Sequence, residues 1–309
     1  MVETKLLNLD QRSLIKDYFS RFPPEVSEHT FTNLFAWQRS RPIYYSLIAD
    51  SLLLFLNTVD AGHNQKILFG QPVGNLSLSS AIDILRDDIV GAVRLTADSV
   101  ADLNTKNYII TADRDNADYI YRVKDLSLLS GRKYAKKRNQ IKKCLKQYHC
   151  EYEPVTIDLV PQCIAMQKRW CASRSCTSEP ALCNEYASIL SMFKNFKELG
   201  LIGGAIRVDG EIQAFAIAEQ LGPGIAVCHF EKALSGIQGL GQLINQWFAL
   251  YGLKDFTFIN REQDLGIPGL RQAKQSYHPH HLVEKYTLSF GSVMPICKRL
   301  VQGCADEQD

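Results

Sequence analysis

Hydrophobic positions recur along the chain at two alternating periods, helical and extended. Leu14, Ile15, Tyr18, Phe19 and Phe22 fall at helical spacing, and Pro23-Pro24 ends that run because the residue before a proline is pushed out of the helical region. The pattern then predicts a helix over 28–39 and extended segments over 42–48, 52–58 and 66–69. A helix over 76–86 and an extended run over 92–95 follow. A polar stretch, 111–118, separates these from a strand over 119–123, which places a domain boundary near residue 115. Beyond it the elements are clearer: helices over 131–147, 157–170 and 184–199, then strands over 202–208 and 211–220 joined by Asp209-Gly210. Asp-Gly is a hairpin signal, since a type I′ turn needs positive φ at both central positions. A strand over 225–231 precedes Leu240, Leu243, Ile244, Trp247, Phe248 and Tyr251, which mark one apolar face of a helix. A strand over 255–260, a short helix over 267–275 and a last strand over 282–290 complete the reading, with 291–309 left as a loosely packed tail.

Composition narrows the class. At 309 residues, 46% hydrophobic and 22% charged, the chain is ordinary globular material with enough length for two domains. Its 35 basic against 33 acidic side chains give +2, which excludes a histone-like or acidic-tail protein. The most apolar run, 46–59, is interrupted by Asp50 and is shorter than the roughly 20 residues a membrane helix needs, so no integral membrane segment is expected. No secretory signal opens the sequence, and nine cysteines without a C-x-x-C pair read as reduced thiols in a cytoplasmic protein. No ligand set for a metal has a recognisable spacing, His278-Pro279-His280-His281 included. Charge is nonetheless uneven. Residues 131–147 carry eight cations (Arg132, Lys133, Lys136, Lys137, Arg138, Lys142, Lys143 and Lys146) and no acid.

The order of the second half, two helices, three consecutive strands, a glycine-rich loop, helix, strand, helix and strand, resembles the GNAT acyltransferase fold, and the first half resembles it less clearly. Three motifs point to a more specific likeness. The stretch from Asn260-Arg261-Glu262-Gln263-Asp264 through Lys274, with Tyr277 and Pro279, resembles the closing motif of the phosphatidylglycerol lysyltransferase C-terminal domain family. Tyr119-Ile120-Tyr121, Leu126, Leu129, Gly131, Lys133, Lys137, Arg138 and Asn139 are similar to its central motif. Asn33-Leu34-Phe35-Ala36-Trp37 is similar to its N-terminal signature. The resemblance implies a mixed α/β (α+β) chain of two tandem GNAT-like domains, 1–115 and 116–290, each a mixed sheet flanked by helices. It also implies transfer of an aminoacyl group from aminoacyl-tRNA to a lipid headgroup. The lipid enzymes of that family carry a multi-span membrane region ahead of this domain, and none is expected here.

Four groups of residues carry candidate chemistry. Lys133, Lys137, Arg138 and Asn139 open the basic helix, where exposed amides and cations suit an anion, and helical spacing turns Lys137 inward. Gln238, Gly239 and Gly241 lie in the loop that would cradle a pyrophosphate. His229 and Glu231 alternate with Phe230 and so are expected on one strand face, where either can take a proton. Asn260, Glu262 and Asp264 alternate likewise, while Arg271 and Lys274, three apart, share a helix face. Glu262, Asp264, His229 and Glu231 are thus the candidate catalytic residues, and the remainder candidate binding residues.

The expected activity is direct acyl or aminoacyl transfer to an amine or hydroxyl on a small molecule, peptide or lipid headgroup. No permanently bound cofactor is expected. Acyl-CoA or aminoacyl-tRNA would serve as co-substrate, presenting coenzyme A or a tRNA acceptor end. A non-catalytic RNA- or nucleotide-binding module on the same fold is the alternative.

Overall fold

A computed structural model describes residues 2–60, 63–101, 103, 108–174 and 179–290. The expected tail, 291–309, lies outside them. The fold is mixed α/β with two mixed sheets, one of eight strands and one of seven. The described residues divide into two compact units: those within 2–118, 263–267 and 283–290 form the first, and those within 119–262 and 268–282 the second.

In the first unit β1 (Lys5–Leu6), α1 (Arg12–Arg21), α2 (Phe31–Ala36), β2 (Ile43–Ile48), β3 (Ser51–Asp60), β4 (His63–Phe69) and β5 (Val73–Gly74) precede α3 (Leu78–Leu85), β6 (Ile89–Thr96), α4 (Ala97–Ala101) and β7 (Ile109–Ala112). Ser77 caps α3 by accepting from the Ser80 amide, and Leu78, Ala81, Ile82 and Leu85 then face Leu53, Phe55, Leu68, Ala92 and Leu288 in the core. The helix expected over 28–39 is shorter. Thr30 caps it, and Glu28 lies ahead of the cap in a buried ion network.

The second unit contains β8 (Asp118–Arg122), α5 (Val123–Leu128), α6 (Ala135–Gln147), β9 (Cys150–Pro154), α7 (Val160–Ala172), α8 (Pro180–Lys194), α9 (Phe196–Leu199), β10 (Ile202–Val208), β11 (Glu211–Gly222) and β12 (Ile225–Ala233). These lead to α10 (Leu240–Trp247), β13 (Phe258–Asn260), α11 (Pro268–Gln275) and β14 (His281–Val283). Its strand order is β14-β8-β13-β12-β11-β10-β9. Ala214, Ala216 and Ala218 of β11 pack with Leu240, Leu243 and Ile244 of α10 and Ile141 of α6. Phe215, on the opposite face of β11, meets Phe193 of α8. The sheet therefore has an α6/α10 face and an α7/α8 face, as strand alternation requires.

Two expectations are corrected here. The segment 116–290 does not stay in one domain. The strand expected over 282–290 splits into β14, in the seven-stranded sheet, and β15 (Lys285–Ser289), hydrogen-bonded between β6 and β7 of the other. Long-range strand pairing of this kind leaves no local signature. Nor are all nine cysteines reduced: Cys171 is disulfide-bonded, whereas Cys144, Cys150, Cys163, Cys183 and Cys228 are free. Disulfide formation depends on how close the Cα atoms approach in the fold, which spacing along the sequence does not disclose.

Candidate functional site: a fork between two parallel strands

β12 and β13 run parallel only over Ile225–Val227 and Phe258–Asn260. Past that point β12 continues to Ala233, laddered on β11 alone, while the chain after β13 stays with β8: the Arg261 amide donates to the Tyr119 carbonyl, and the Tyr119 amide to Glu262. The two strands thus diverge into a fork. Side chains, not backbone, join its two rims.

On the α7/α8 face, His229 is held between two carboxylates. Its Nδ1 lies 2.9 Å from Glu262 Oε1 and its Nε2 2.9 Å from Glu219 Oε1. The side chains of His229 and Glu219 are 1% and 4% exposed, that of Glu262 19%. Burial works against an imidazolium, but the hydrogen bonds to Glu219 and Glu262 outweigh it and raise the His229 pKa to about 9. The charged ring then donates from both nitrogens.

On the α6/α10 face, Glu231 accepts from Arg261 Nη2 at 3.1 Å and from Asn245 Nδ2 of α10 at 3.0 Å. The Arg261 guanidinium lies 5.6 Å from the Tyr121 ring centroid and 5.2 Å from that of Tyr277.

His229 and Glu231 were expected on one strand face, opposite Phe230. They lie on opposite faces because the β11–β12 register slips at this point: Ile217 pairs with Phe230 and Ala218 with Cys228, leaving His229 as the extra residue of a bulge. A bulge reverses the alternation beyond it. Asn260, Glu262 and Asp264 do not share a side either. Glu262 has φ +57°, a left-handed conformation that turns the chain, and Leu265 follows with φ +55°. The Asn260 side chain accepts from the Glu262 amide at 2.7 Å. Asp264 belongs to the first unit, fully buried, 3.2 Å from Arg114 and accepting from the Gly266 amide. It is an anchor for the loop and does not join the fork.

The candidate binding residues divide similarly. Lys137 Nζ lies 2.7 Å from Ser276 Oγ and 3.7 Å from the Tyr277 ring centroid, inward as expected. Lys133 is exposed and rests 5.0 Å from the Tyr134 centroid. Arg138 instead donates to the carbonyls of Leu129 and Gly131, tying down the end of α5, where Leu129 is left-handed. Asn139 is exposed. Lys274 points at the backbone, donating to the Arg261 and Glu262 carbonyls, while Arg271 is partly exposed on the same helix. Gln238 is exposed in the loop, whereas Gly241, expected there, falls in the first turn of α10 with open space where a Cβ would stand. Gly239 is a glycine for a different reason: its φ is +91°, and a Cβ would lie 2.2 Å from the Gln140 carbonyl oxygen of α6.

Sequence reasoning missed Glu219, Asn245 and Arg261. Glu219 carried a readable signal, since it is the one carboxylate at the end of the apolar run 214–218. Asn245 is likewise a polar residue on the buried side of α10. Among the described residues, no helix is long and apolar enough to cross a membrane.

No curated protein sequence matches this one. A conserved protein of unknown function from Bacteroides thetaiotaomicron is similar at 31% identity and TM-score 0.84, over 94% of this chain and 100% of that one. The structure of L-PGS from Bacillus licheniformis is similar in fold, at 15% identity and TM-score 0.64, over 96% of this chain and 97% of that one. The family model for phosphatidylglycerol lysyltransferase, C-terminal, matches residues 19–289, and so the chain that carries this forked sheet belongs to that family.

Proposed function

We propose that the chain is an acyl or aminoacyl transferase built on two tandem GNAT-like domains, with the fork of the second as its reaction centre. The observation that carries the reading is the Glu219–His229–Glu262 relay at the fork: a buried carboxylate and a charged imidazole hold the more exposed Glu262 in one orientation. A carboxylate so placed suits the proton transfer that acyl transfer requires. The lone pair of the acceptor nitrogen or oxygen forms the bond to the donor's carbonyl carbon, and the carbonyl π pair moves onto oxygen. Glu262 takes the nucleophile's proton. Collapse then breaks the bond to the leaving oxygen or sulfur, which receives that proton. Amides of β12 beyond Val227, unladdered on the β13 side, are suited to receive the oxyanion.

Aminoacyl-tRNA is the donor favoured over acyl-CoA. Arg132, Lys133, Lys136, Lys142, Lys143 and Lys146 are all exposed on and just before α6, and none forms an ion pair among the described residues. A long stripe of uncompensated charge fits a polyphosphate backbone better than one small thioester.

The test is a donor-consumption assay with a pool of radiolabelled aminoacyl-tRNA and, separately, acetyl-CoA, using amine, peptide and lipid-headgroup acceptors. Glu262→Gln is expected to abolish transfer with the fold intact. Asp264→Asn is expected to cost stability instead, about 1–3 kcal/mol from an unpaired buried group. Full activity in Glu262→Gln would remove it from the mechanism. RNA binding without consumption of either donor would favour a non-catalytic RNA-binding module.

A further inference from the structure

On the α6/α10 face of the fork, two buried polar atoms have no partner among the described residues, and a nearby lysine is hydrogen-bonded only to the Ser276 hydroxyl. Arg261 Nη2 is paired with Glu231, yet Nη1 of the same guanidinium is buried with no hydrogen-bond partner among the described residues. Asn245, 3% exposed, donates to the other oxygen of Glu231 while its Oδ1 is buried without a partner. Lys137 leans on Tyr277, the ring that Arg261 also approaches, and no carboxylate lies within ion-pair distance of it among the described residues. Buried polar groups are nearly always satisfied, and each exception calls for an explanation, a bound ligand being one.

We propose that Arg261, Lys137 and Asn245 form a binding site for a ribose-phosphate group. Two cations against the single charge of Glu231 leave one positive charge to neutralise, which a phosphate oxygen supplies. The unpartnered Oδ1 of Asn245 needs a donor beside that anion, and a sugar hydroxyl has one. The depressed basicity of Lys137, lowered to about 8 by burial and by the adjacent Arg261 and Lys136, is consistent with an ammonium awaiting its counter-ion. Tyr121 and Tyr277 provide aromatic surface around the guanidinium. The site rests on the transferase reading, for which it would hold the non-reacting end of the donor. Ribose-phosphate chemistry is shared by RNA and by coenzyme A.

The probes are adenosine 5′-monophosphate, its 2′,3′-dideoxy analogue and inorganic phosphate, titrated calorimetrically into the full chain. The monophosphate is expected to bind at least about tenfold more tightly than the dideoxy analogue or phosphate alone. Lys137→Ala should weaken it by about tenfold or more, Asn245→Leu should erase the preference for the hydroxylated sugar, and Lys168→Ala, an exposed residue of α7, should change neither. Arg261→Gln removes the central cation and risks the fold, so the Lys137 and Asn245 variants decide. Equal binding by wild type and both variants would overturn the site, as would no binding of the monophosphate to folded wild type at about 10 mM. Repeating the titration with a short single-stranded RNA and with coenzyme A identifies the source, by which of the two loses affinity in Lys137→Ala. No acyl group is present, so a failure of the transfer chemistry leaves these results standing. Undiminished transfer by Lys137→Ala would count against this site alone.

Discussion

Lys285 Nζ lies 2.7 Å from Asp118 Oδ1 and 2.5 Å from Glu28 Oε2, and the side chains of all three are fully buried. Ser27 adds its amide and hydroxyl to Asp118, and Arg94 pairs with both Glu28 and Asp113. Burial alone would raise the Glu28 pKa, but Lys285 and Arg94 hold it down at about 2. A lowered carboxylate pKa contributes stability that is complete above about 4.5 and is lost as pH falls toward 2. Lys285→Met, which removes the ammonium that Glu28 and Asp118 share, is expected to cost about 3–5 kcal/mol near neutral pH, and that cost should shrink as pH falls toward 2 and the carboxylates are protonated. Urea titrations at a series of pH values measure both effects.

His229 gives the opposite sign. Its pKa is raised from 6.5 to about 9, so its contribution to stability is complete below pH 6.5 and fades as pH rises through 9. Wild type should lose stability across that window, and His229→Gln should show a flatter profile. Imidazole resonances followed by NMR should titrate near 9, with both ring nitrogens protonated at neutral pH. A midpoint near 6.5 would mean that the two carboxylates do not hold the ring.

The two glycines at the start of α10, Gly239 just before it and Gly241 in its first turn, should respond oppositely to alanine. Gly239→Ala forces a Cβ to within 2.2 Å of the Gln140 carbonyl at a positive φ, and is expected to destabilise by more than about 1 kcal/mol. Gly241 has room within α10, and Gly241→Ala should be neutral or stabilising by up to about 1 kcal/mol. A loss of transfer in Gly241→Ala without loss of stability would indicate that donor and backbone approach closely there. Thermal melts beside the transfer assay separate the cases.

If the outer surface of α6 meets RNA, binding should be steeply salt-dependent. Six exposed cations give a slope of log affinity against log salt of about −4 to −5, and replacing Lys142, Lys143 and Lys146 with alanine should lower its magnitude by about 2 to 3. An unchanged slope in that triple variant would assign the lysines to a merely solvated surface.

The parts of this molecule that the sequence made readable are those governed by local rules. The apolar stripe of α10, the Asp209-Gly210 hairpin and the inward turn of Lys137 all follow from spacing within a single element. The fork was partly legible: His229, Glu231 and Glu262 were picked out by residue type, but their assignment to faces failed. One inserted residue in β12 and one left-handed backbone at Glu262 reset the alternation on which that assignment rested. Asp264 was chosen for the same alternation and instead anchors a loop of the other unit. Arg261 and Asn245 became visible only when Glu231 was seen to join them.

The place of β15 in the first sheet has a consequence for biosynthesis. Among the described residues, β7 is attached to that sheet only through β15, and β6 is paired on one side only until β15 arrives. The ribosome makes β6 and β7 early and β15 after the whole second unit. Until then the nascent first half carries an open strand edge of the kind that recruits other chains. A fragment stopping near residue 118 would keep that edge permanently. Expressed alone it should aggregate, and co-expression with the remainder of the chain should rescue it, because the missing strand can be supplied in trans.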